Sequence, residues 1–413
     1  MTLNAQARSL MTDEVQDTYT GLAPLMRKAF TGVDLKPLGA QLIERSSANP
    51  NDAHALMDLA TVLLLTGHRD IALGAQMEAL QIQQIYHIPS AREPKLRLLA
   101  LMAAGDLMAN TPLEFLLEDS DVSLDMVYVG AGIPAVSDVP DHDVMFVAVG
   151  ESDENHALLK ELEVITQEWP RPVLNSPGRI VNLARDAACA FLQSAPGVVM
   201  PTSIRIDRQA VEKIGNGVLA ITSLVEDGDF PVIIRPVGSH AGEGLQKIDS
   251  AADIAAYLAT VSSAEFYIAR FVDYSSADGL FRKYRIMLIA GRPFICHMGI
   301  SSHWMIHYLN AGMADSAEKR TEEADFMTAF DEDFASRHQQ AFQAITERIG
   351  LDYVGIDCAE TIDGKLMIFE IDSDMIVHAM DPVELFPYKP PQMRKLFSAF
   401  REMLAKAAAA NPS

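Results

Sequence analysis

Residues 355–372 read GIDCAETIDGKLMIFEID, and this stretch decides how the second half of the chain is interpreted. Its Asp363-Gly364 pair is a hairpin signal between two apolar runs. Asp357 falls on the first run, while Glu370 and Asp372 share one face of the second, because strand side chains alternate between faces. Hard carboxylate oxygens on otherwise apolar strands suit Mg²⁺. The pattern predicts three metal ligands, Asp357, Glu370 and Asp372; the alternative is an edge hairpin with its acids in solvent.

A glycine-rich segment, DFPVIIRPVGSHAGEGLQKI (229–248), precedes this hairpin in the chain. It predicts a buried strand that ends at Arg235 and Pro236, followed by a loop. Glycines allow backbone N–H groups to approach phosphate oxygens, and Arg235 adds a fixed cation. The alternative is an ordinary turn with scattered glycines. The predicted phosphate-binding residues are Arg235, Gly238, Ser239, His240, Gly242 and Gly244.

These two segments, in this order and spacing, resemble those of ATP-grasp enzymes over about residues 173–400, in the branch that contains glutathione synthetase and ribosomal-protein glutamate ligases. The resemblance implies that the glycine loop covers the triphosphate of ATP and that the three carboxylates hold two Mg²⁺ ions. Arg235 stands where lysine is more usual, and Asp372 where asparagine is more usual. The implied cofactors are ATP and Mg²⁺. The implied activity is an ADP-forming ligation of a carboxylate to an amine through an acylphosphate.

Three further segments extend the resemblance. LNSPGRIVNLARDAACAF (174–191) is similar to a phosphate-binding entry segment, but the usual lysine falls on Ala187, so its role passes to Arg185. RKYRIMLIAGRPF (282–294) places Arg285 at the transferred phosphate, and Lys283 replaces a usual acid and would reach a substrate carboxylate. EFYIARFVDY (265–274) resembles the strand that binds adenine. It implies base contacts from Phe271 and Val272 and ribose contacts from Asp273 or Asp278.

The segment MGISSHWMIHYLNAGM (298–313) is rich in hydrogen-bonding and aromatic side chains. His303 and His307 are candidate catalytic groups, because an amine must lose a proton before it forms an amide. The alternative is a partly buried aromatic helix face. Two histidines at this spacing can also bind zinc, but no HExxH glutamate accompanies them. Asp374 and His378, just past the hairpin, are candidate substrate contacts.

The pattern divides the chain into three parts of an α+β protein. Residues 1–115 are predicted to be helical throughout, with a segment from Ala53 to about Tyr86 that resembles one degenerate tetratricopeptide unit or a plain helical hairpin. We expect it to pack on the rest of the chain or on a second copy in a homodimer. Residues 116–175 alternate strands and helix, which predicts a small α/β pre-grasp domain with a parallel sheet. Residues 176–413 form the predicted ATP-grasp nucleotide-binding and catalytic domain.

Composition limits the partners. The net charge of -23 argues against nucleic acid and anionic membrane surfaces. Three dispersed cysteines and the lack of a long apolar run or signal-like N-terminus favour a cytoplasmic protein. This composition favours a small-molecule or protein partner. The resemblance to ATP-grasp enzymes implies small carboxylate and amine substrates, such as amino acids or short peptides. Two other functions stay open: a phosphotransferase that stops at a phosphorylated product, and a non-catalytic tetratricopeptide-type adaptor with a degenerate nucleotide fold.

Overall fold

The computed structural model describes residues 18–225, 228–239 and 242–410, and within them the predicted α+β class is confirmed. The helices are α1 (Leu22–Phe30), α2 (Lys36–Ala48), α3 (Ala53–Leu65), α4 (Arg69–Ile82), α5 (Leu113–Leu116), α6 (His156–Gln167), α7 (Pro177–Ile180), α8 (Arg185–Leu192), α9 (Arg208–Gly215), α10 (Ile254–Thr260), α11 (Ala317–Ala329), α12 (Phe334–Arg337), α13 (Gln339–Ile349) and α14 (Lys389–Ala410). No helix among these described residues is both long enough and apolar enough to cross a bilayer.

The strands form three sheets. They are β1 (Ile85–Ile88), β2 (Leu96–Ala103), β3 (Val122–Val129), β4 (Val144–Val147), β5 (Val173–Leu174), β6 (Val198–Val199), β7 (Ser203–Asp207), β8 (Val232–Pro236), β9 (Gln246–Ile248), β10 (Glu265–Arg270), β11 (Phe281–Ile289), β12 (Arg292–Ser301), β13 (Tyr353–Glu360) and β14 (Leu366–Asp372). The strand orders are β1-β3-β2-β4-β5, β7-β10-β8-β9 and β12-β11-β13-β14-β6. We call these the first, second and third sheets.

The first sheet corrects one prediction. Residues 20–110 are not helical throughout, because β1 and β2 lie within them. The sequence of β2, LRLLALMA, is a short continuous apolar run, and such a run fits a buried strand or a buried helix equally well. It becomes a strand because it pairs in parallel with β3 on one side and β4 on the other. The parallel sheet predicted for residues 116–175 therefore takes its central strand from the preceding region.

The N-terminal helices pack on the rest of the chain. Helices α3 and α4 form a hairpin, and α3 also packs against α1 and α2. The first turn of α1 is held by two buried carboxylates. Asp58 accepts hydrogen bonds from the N–H groups of Thr20 and Gly21, and Glu114 accepts those of Leu22 and Ala23 at 3.0 and 2.9 Å. Because the free N–H groups of a helix start attract negative charge, these contacts fix where α1 begins and how it is oriented.

Glu114 gives the stability of the protein a pH dependence. Burial raises the pKa of Glu114 to about 7, against the opposing effect of its two backbone hydrogen bonds. A pKa that is higher in the folded state stabilises the fold most below about pH 4 and loses that contribution as the pH rises through about 7. We expect the unfolding free energy of wild type to fall relative to that of Glu114→Gln by on the order of 3 kcal/mol between about pH 4 and 7.

Urea denaturation at several pH values measures this difference, and Glu78→Gln at an exposed position of α4 is the control. Parallel pH profiles for wild type and Glu114→Gln would contradict the assignment.

The core of the second sheet is separate from the apolar clusters that the first and third sheets share. Helix α14 packs against β4, β11 and β12, so that the first and third sheets share apolar side chains such as Phe146, Tyr353 and Phe400. The second sheet has its own small core, built from β8, β10, α9 and α10 and centred on residues such as Ile234 and Phe266. The second sheet is therefore a unit with its own core, next to the larger body formed by the first and third sheets. A cavity lies between the second and third sheets.

Candidate active site

The cavity between the second and third sheets has a volume of about 610 Å³ and is lined by both. This volume lies within the usual range for small-molecule and cofactor sites. Of the residues predicted from sequence to bind phosphate, base or metal or to act in catalysis, these line it: Arg185, Arg235, Gly242, Phe271, Val272, Arg285, His307, Asp357, Glu370 and Asp372. Sequence segments more than a hundred residues apart thus meet in one cavity.

A row of ionisable side chains crosses the third sheet at the cavity. His297 on β12 lies opposite Arg285 on β11, Arg285 lies opposite Asp357 on β13, and Asp357 lies opposite Glu370 on β14. Directly opposed residues present their side chains on the same face of a sheet. A register shift next to Asp357 leaves Phe369 without an opposing residue and brings Glu370 across from Asp357. We call these four residues the cross-strand row.

Asp357 is the most strongly paired member of the row. It is 1% exposed, and its carboxylate lies 2.6 Å from Lys283 Nζ and accepts two hydrogen bonds from Arg285 at 2.8 and 3.0 Å. Burial alone would raise the pKa of Asp357, but the charges of Arg285 and Lys283 hold it well below its usual range. Asp357 is therefore ionised and neutralised from within the chain.

Glu370 and Arg185 form the second ion pair of the site. Arg185 donates to the Glu370 carboxylate and, at 2.9 Å, to the carbonyl oxygen of Phe369. Burial would raise the pKa of Glu370, but Arg185 and Arg235 lower it on balance. Arg185 thus reaches the cavity although Ala187 takes the usual lysine position, and it lies beside a predicted metal ligand.

Arg235 faces the row from the second sheet. Its guanidinium donates to Ser239 Oγ at 3.3 Å and to the Ser239 carbonyl oxygen. Burial, together with the positive charge of Arg185, lowers the pKa of Arg235 to about 10. Two partly buried cations that repel each other are stabilised by an anion placed between them. Arg185 and Arg235 are suited to binding phosphate oxygens.

The chemistry of the carboxylates fits Mg²⁺. Burial and the charge of Glu370 raise the pKa of Asp372 to about 6. The neighbouring Asp374 is 1% exposed, and its Oδ1 has no hydrogen-bond partner among the described residues. Burial and the nearby Asp372 raise the pKa of Asp374 as well, so these crowded carboxyl groups resist ionising together. A bound divalent cation would remove that penalty. In the described part of the chain, however, no three His, Cys, Asp or Glu side chains are arranged to hold a metal ion. Asp357 and Glu370 are instead drawn to their basic partners.

The glycine loop and the segment predicted to bind the base both contribute residues to the cavity lining. Gly238, Gly242 and Gly244 all have positive φ, which glycine adopts most readily. Gly242 lines the cavity; Gly238, Ser239 and Gly244 do not, and His240 lies outside the described residues. Phe271 packs edge to face on Trp304 and lies 4.6 Å from Lys247 Nζ. These aromatic rings could flank a planar base.

The two predicted ribose contacts do not reach the cavity. Asp273 accepts a hydrogen bond from the Ser275 N–H, and Asp278 pairs with Arg282. Neither carboxylate lines the cavity.

The histidine-rich segment divides into an inner and an outer part. His307 and Tyr308 line the cavity together with His297, which lies inside β12 because that strand continues to Ser301. Burial lowers the pKa values of His297 and His307, helped by nearby Arg285 and Lys283. His303 is exposed and does not line the cavity. Of the two histidines predicted to be catalytic, only His307 is placed near the cross-strand row.

The chain is similar to several solved structures, although no family model and no curated protein matches it. A D-alanine–D-alanine ligase from Bacillus anthracis, complexed with ATP, is 12% identical with a TM-score of 0.47, over 76% of this chain and 98% of that chain. VanG D-Ala:D-Ser ligase from Enterococcus faecalis is 13% identical with a TM-score of 0.45, over 76% and 99%. A RimK domain ATP-grasp protein from Sphaerobacter thermophilus is 16% identical with a TM-score of 0.40, over 76% and 99%. The third of these structures is described as an ATP-grasp protein.

The cavity also contains residues that the ATP-grasp motifs do not include. Met26 and Phe30 come from α1, and Leu107 and Met108 come from the loop after β2. Asp381 enters from the segment before α14. Nothing in the local sequence around these residues separates them from ordinary core or surface positions, because only the folded chain brings α1 next to the third sheet. All five residues are distant in sequence from the glycine loop, although they line the same cavity.

Proposed function

We propose that this protein is an ATP-dependent ligase that joins a carboxylate to an amine and releases ADP and phosphate. The observation that carries the proposal is the cross-strand row facing Arg235 across one cavity. The row runs from His297 through Arg285 to two adjacent carboxylates. The cations that pair with these carboxylates or face them can bind phosphoryl oxygens when an anionic ligand enters the cavity. The glycine loop at one end and the aromatic Phe271 and Trp304 supply the surroundings that a nucleotide needs.

In the proposed reaction, an oxygen of the substrate carboxylate attacks the γ-phosphorus of ATP. The bond from that phosphorus to the bridging oxygen breaks, and ADP leaves. Arg185 and Arg235 hold phosphate oxygens, and Arg285 orients the phosphoryl group in transfer. Mg²⁺ held by Glu370 and Asp372, with Asp357 as a third ligand, would neutralise phosphate charge. Lys283, which pairs with Asp357, is close enough to the row to orient the substrate carboxylate.

The amine nitrogen then attacks the carbonyl carbon of the acylphosphate. The carbon–oxygen bond to phosphate breaks, and an amide and inorganic phosphate form. The attacking amine must give up a proton, and His307 is the proposed acceptor because its lowered pKa leaves the imidazole neutral near pH 7. No protein nucleophile is required. The residues of the chain supply position and charge.

The test is a screen of amino acids and dipeptides, in pairs, for ADP release by the purified protein with Mg-ATP. We expect ADP release that needs both a carboxylate and an amine, and an amide product in equal amount. Hydroxylamine should replace the amine and yield a hydroxamate, since it traps an acylphosphate. A stable phosphorylated product without amine dependence would favour a phosphotransferase. Failure to bind Mg-ATP would favour a non-catalytic adaptor.

A further inference from the structure

Part of the cavity lining is apolar and comes from outside the cross-strand row. Six residues from three parts of the chain form it, and four of them lie in α1 or in the loop after β2; the six are Met26, Phe30, Leu107, Met108, Ile376 and Met380. Met26 and Ile376 pack on a small core that includes Phe115 and Met380. We call these six residues the apolar wall. Three of them are methionines, whose flexible side chains adapt to the shape of what they contact.

His378 lies at the edge of this wall. Its ring is 5.4 Å from that of Phe30 and 6.3 Å from that of Phe115. The Met380 N–H donates to His378 Nδ1 at 3.2 Å. Burial lowers the pKa of His378, which favours the neutral ring. A neutral imidazole that accepts through Nδ1 carries its proton on Nε2, so His378 can donate one hydrogen bond to a ligand oxygen.

Arg285 contacts both the cross-strand row and the apolar wall. Its Nη1 lies 3.5 Å from the carbonyl oxygen of Ile376, while its other nitrogens bind Asp357. Two hydrogen-bond donors, Arg285 and His378, therefore lie next to the apolar wall. A molecule that fits has an oxygen-bearing, anionic end near Arg285 and His378 and an apolar group that reaches the wall.

We propose that the carboxylate substrate carries a large apolar side chain, such as that of leucine, methionine or phenylalanine, which packs against the apolar wall while His378 donates to a substrate oxygen. This inference rests on the proposed ligase function. It gives α1 a role in substrate selection. The region before the α/β unit then forms one side of the substrate site.

The first experiment measures binding without turnover. Calorimetry with a non-hydrolysable ATP analogue and Mg²⁺ compares phenylalanine and leucine with alanine as ligands of the wild-type protein. We expect the bulky apolar amino acids to bind about tenfold more tightly or better, because added methylene groups in an apolar pocket give discrimination of that order. Equal binding of phenylalanine and alanine would overturn the inference and leave the ligase proposal untouched.

The second experiment uses variants of the wall. Phe30→Ala is expected to raise the KM for a bulky apolar carboxylate about tenfold and to leave the KM for ATP unchanged. Val33→Ala, at an exposed residue just after α1, is the matched control and should change neither value. His378→Gln should raise the same KM, since the hydrogen bond is altered. An unchanged KM in Phe30→Ala overturns the inference, whereas absence of ADP release with every substrate pair counts against the ligase function itself.

Discussion

Replacement of Glu370 by alanine is expected to abolish ATP turnover while the protein stays folded. Glu370 ends the cross-strand row, pairs with Arg185 and is a proposed Mg²⁺ ligand. Its removal takes one negative charge from the proposed metal site and leaves Arg185 without its carboxylate partner. Loss of one preorganised group at a charged transition state typically costs about 10²–10³-fold in rate, and loss of a metal ligand adds to this.

The fold should tolerate the change. The Glu370 side chain is 31% exposed, and pairs that water can reach contribute only about 0–1 kcal/mol. ADP release, circular dichroism and urea unfolding of Glu370→Ala measure the two effects separately. Glu370→Gln keeps the shape without the charge and should be nearly as inactive, while Glu384→Ala at an exposed site is the control. Near-normal ADP release by Glu370→Ala would remove Glu370 from the proposed metal site.

Asp357→Asn is expected to have the largest effect on stability. The carboxylate is fully enclosed and neutralises both Lys283 and Arg285. An amide in its place leaves two cations, each 22% exposed, without a counter-charge. Breaking a buried pair costs about 3–5 kcal/mol, and we expect a loss near the lower end because water reaches both cations. Turnover should be lost as well, because Arg285 then lacks the partner that orients it.

The pH dependence of this loss has a definite sign. Arg285 and Lys283 hold the pKa of Asp357 well below its usual range. A depressed folded-state pKa gives stability that is present above about pH 4 and is lost only as the pH falls further. Urea unfolding should therefore show a constant gap between wild type and Asp357→Asn from about pH 8 to 5. Asp363→Asn, at the exposed turn of the same hairpin, is the control. Equal stabilities of wild type and Asp357→Asn would contradict the buried ion pairs.

The part of the site that sequence predicted best is the β13–β14 hairpin. It was predicted from a turn signal and from the alternation of side chains along a strand. The Asp363-Gly364 signal predicted the β13–β14 hairpin, and strand alternation placed Glu370 and Asp372 on one face. The register was not predictable, because the shift that sets Glu370 opposite Asp357 arises from pairing between strands. The contact of Lys283 with Asp357 was not predictable from sequence for the same reason. Lys283 is two residues before Arg285 on β11. Both side chains contact Asp357 on β13, which is 72 residues after Arg285 in the chain.

Other parts depended on tertiary context. The run LRLLALMA has no period that separates strand from helix, and only its two parallel neighbours make it a strand. His303 and His307 looked equivalent in sequence, yet only His307 lines the cavity. The participation of Met26 and Phe30 could not be anticipated, since the hydrogen bonds that position α1 come from Asp58 and Glu114, far along the chain.

The separate core of the second sheet bears on how a ligand enters. The apolar contacts of β8 and β10 are made within that unit, around Ile234 and Phe266, so a change in its angle to the third sheet need not break them. Opening and closing of the cavity then requires neither sheet to unfold. We therefore expect the cavity volume to depend on the angle between the second and third sheets.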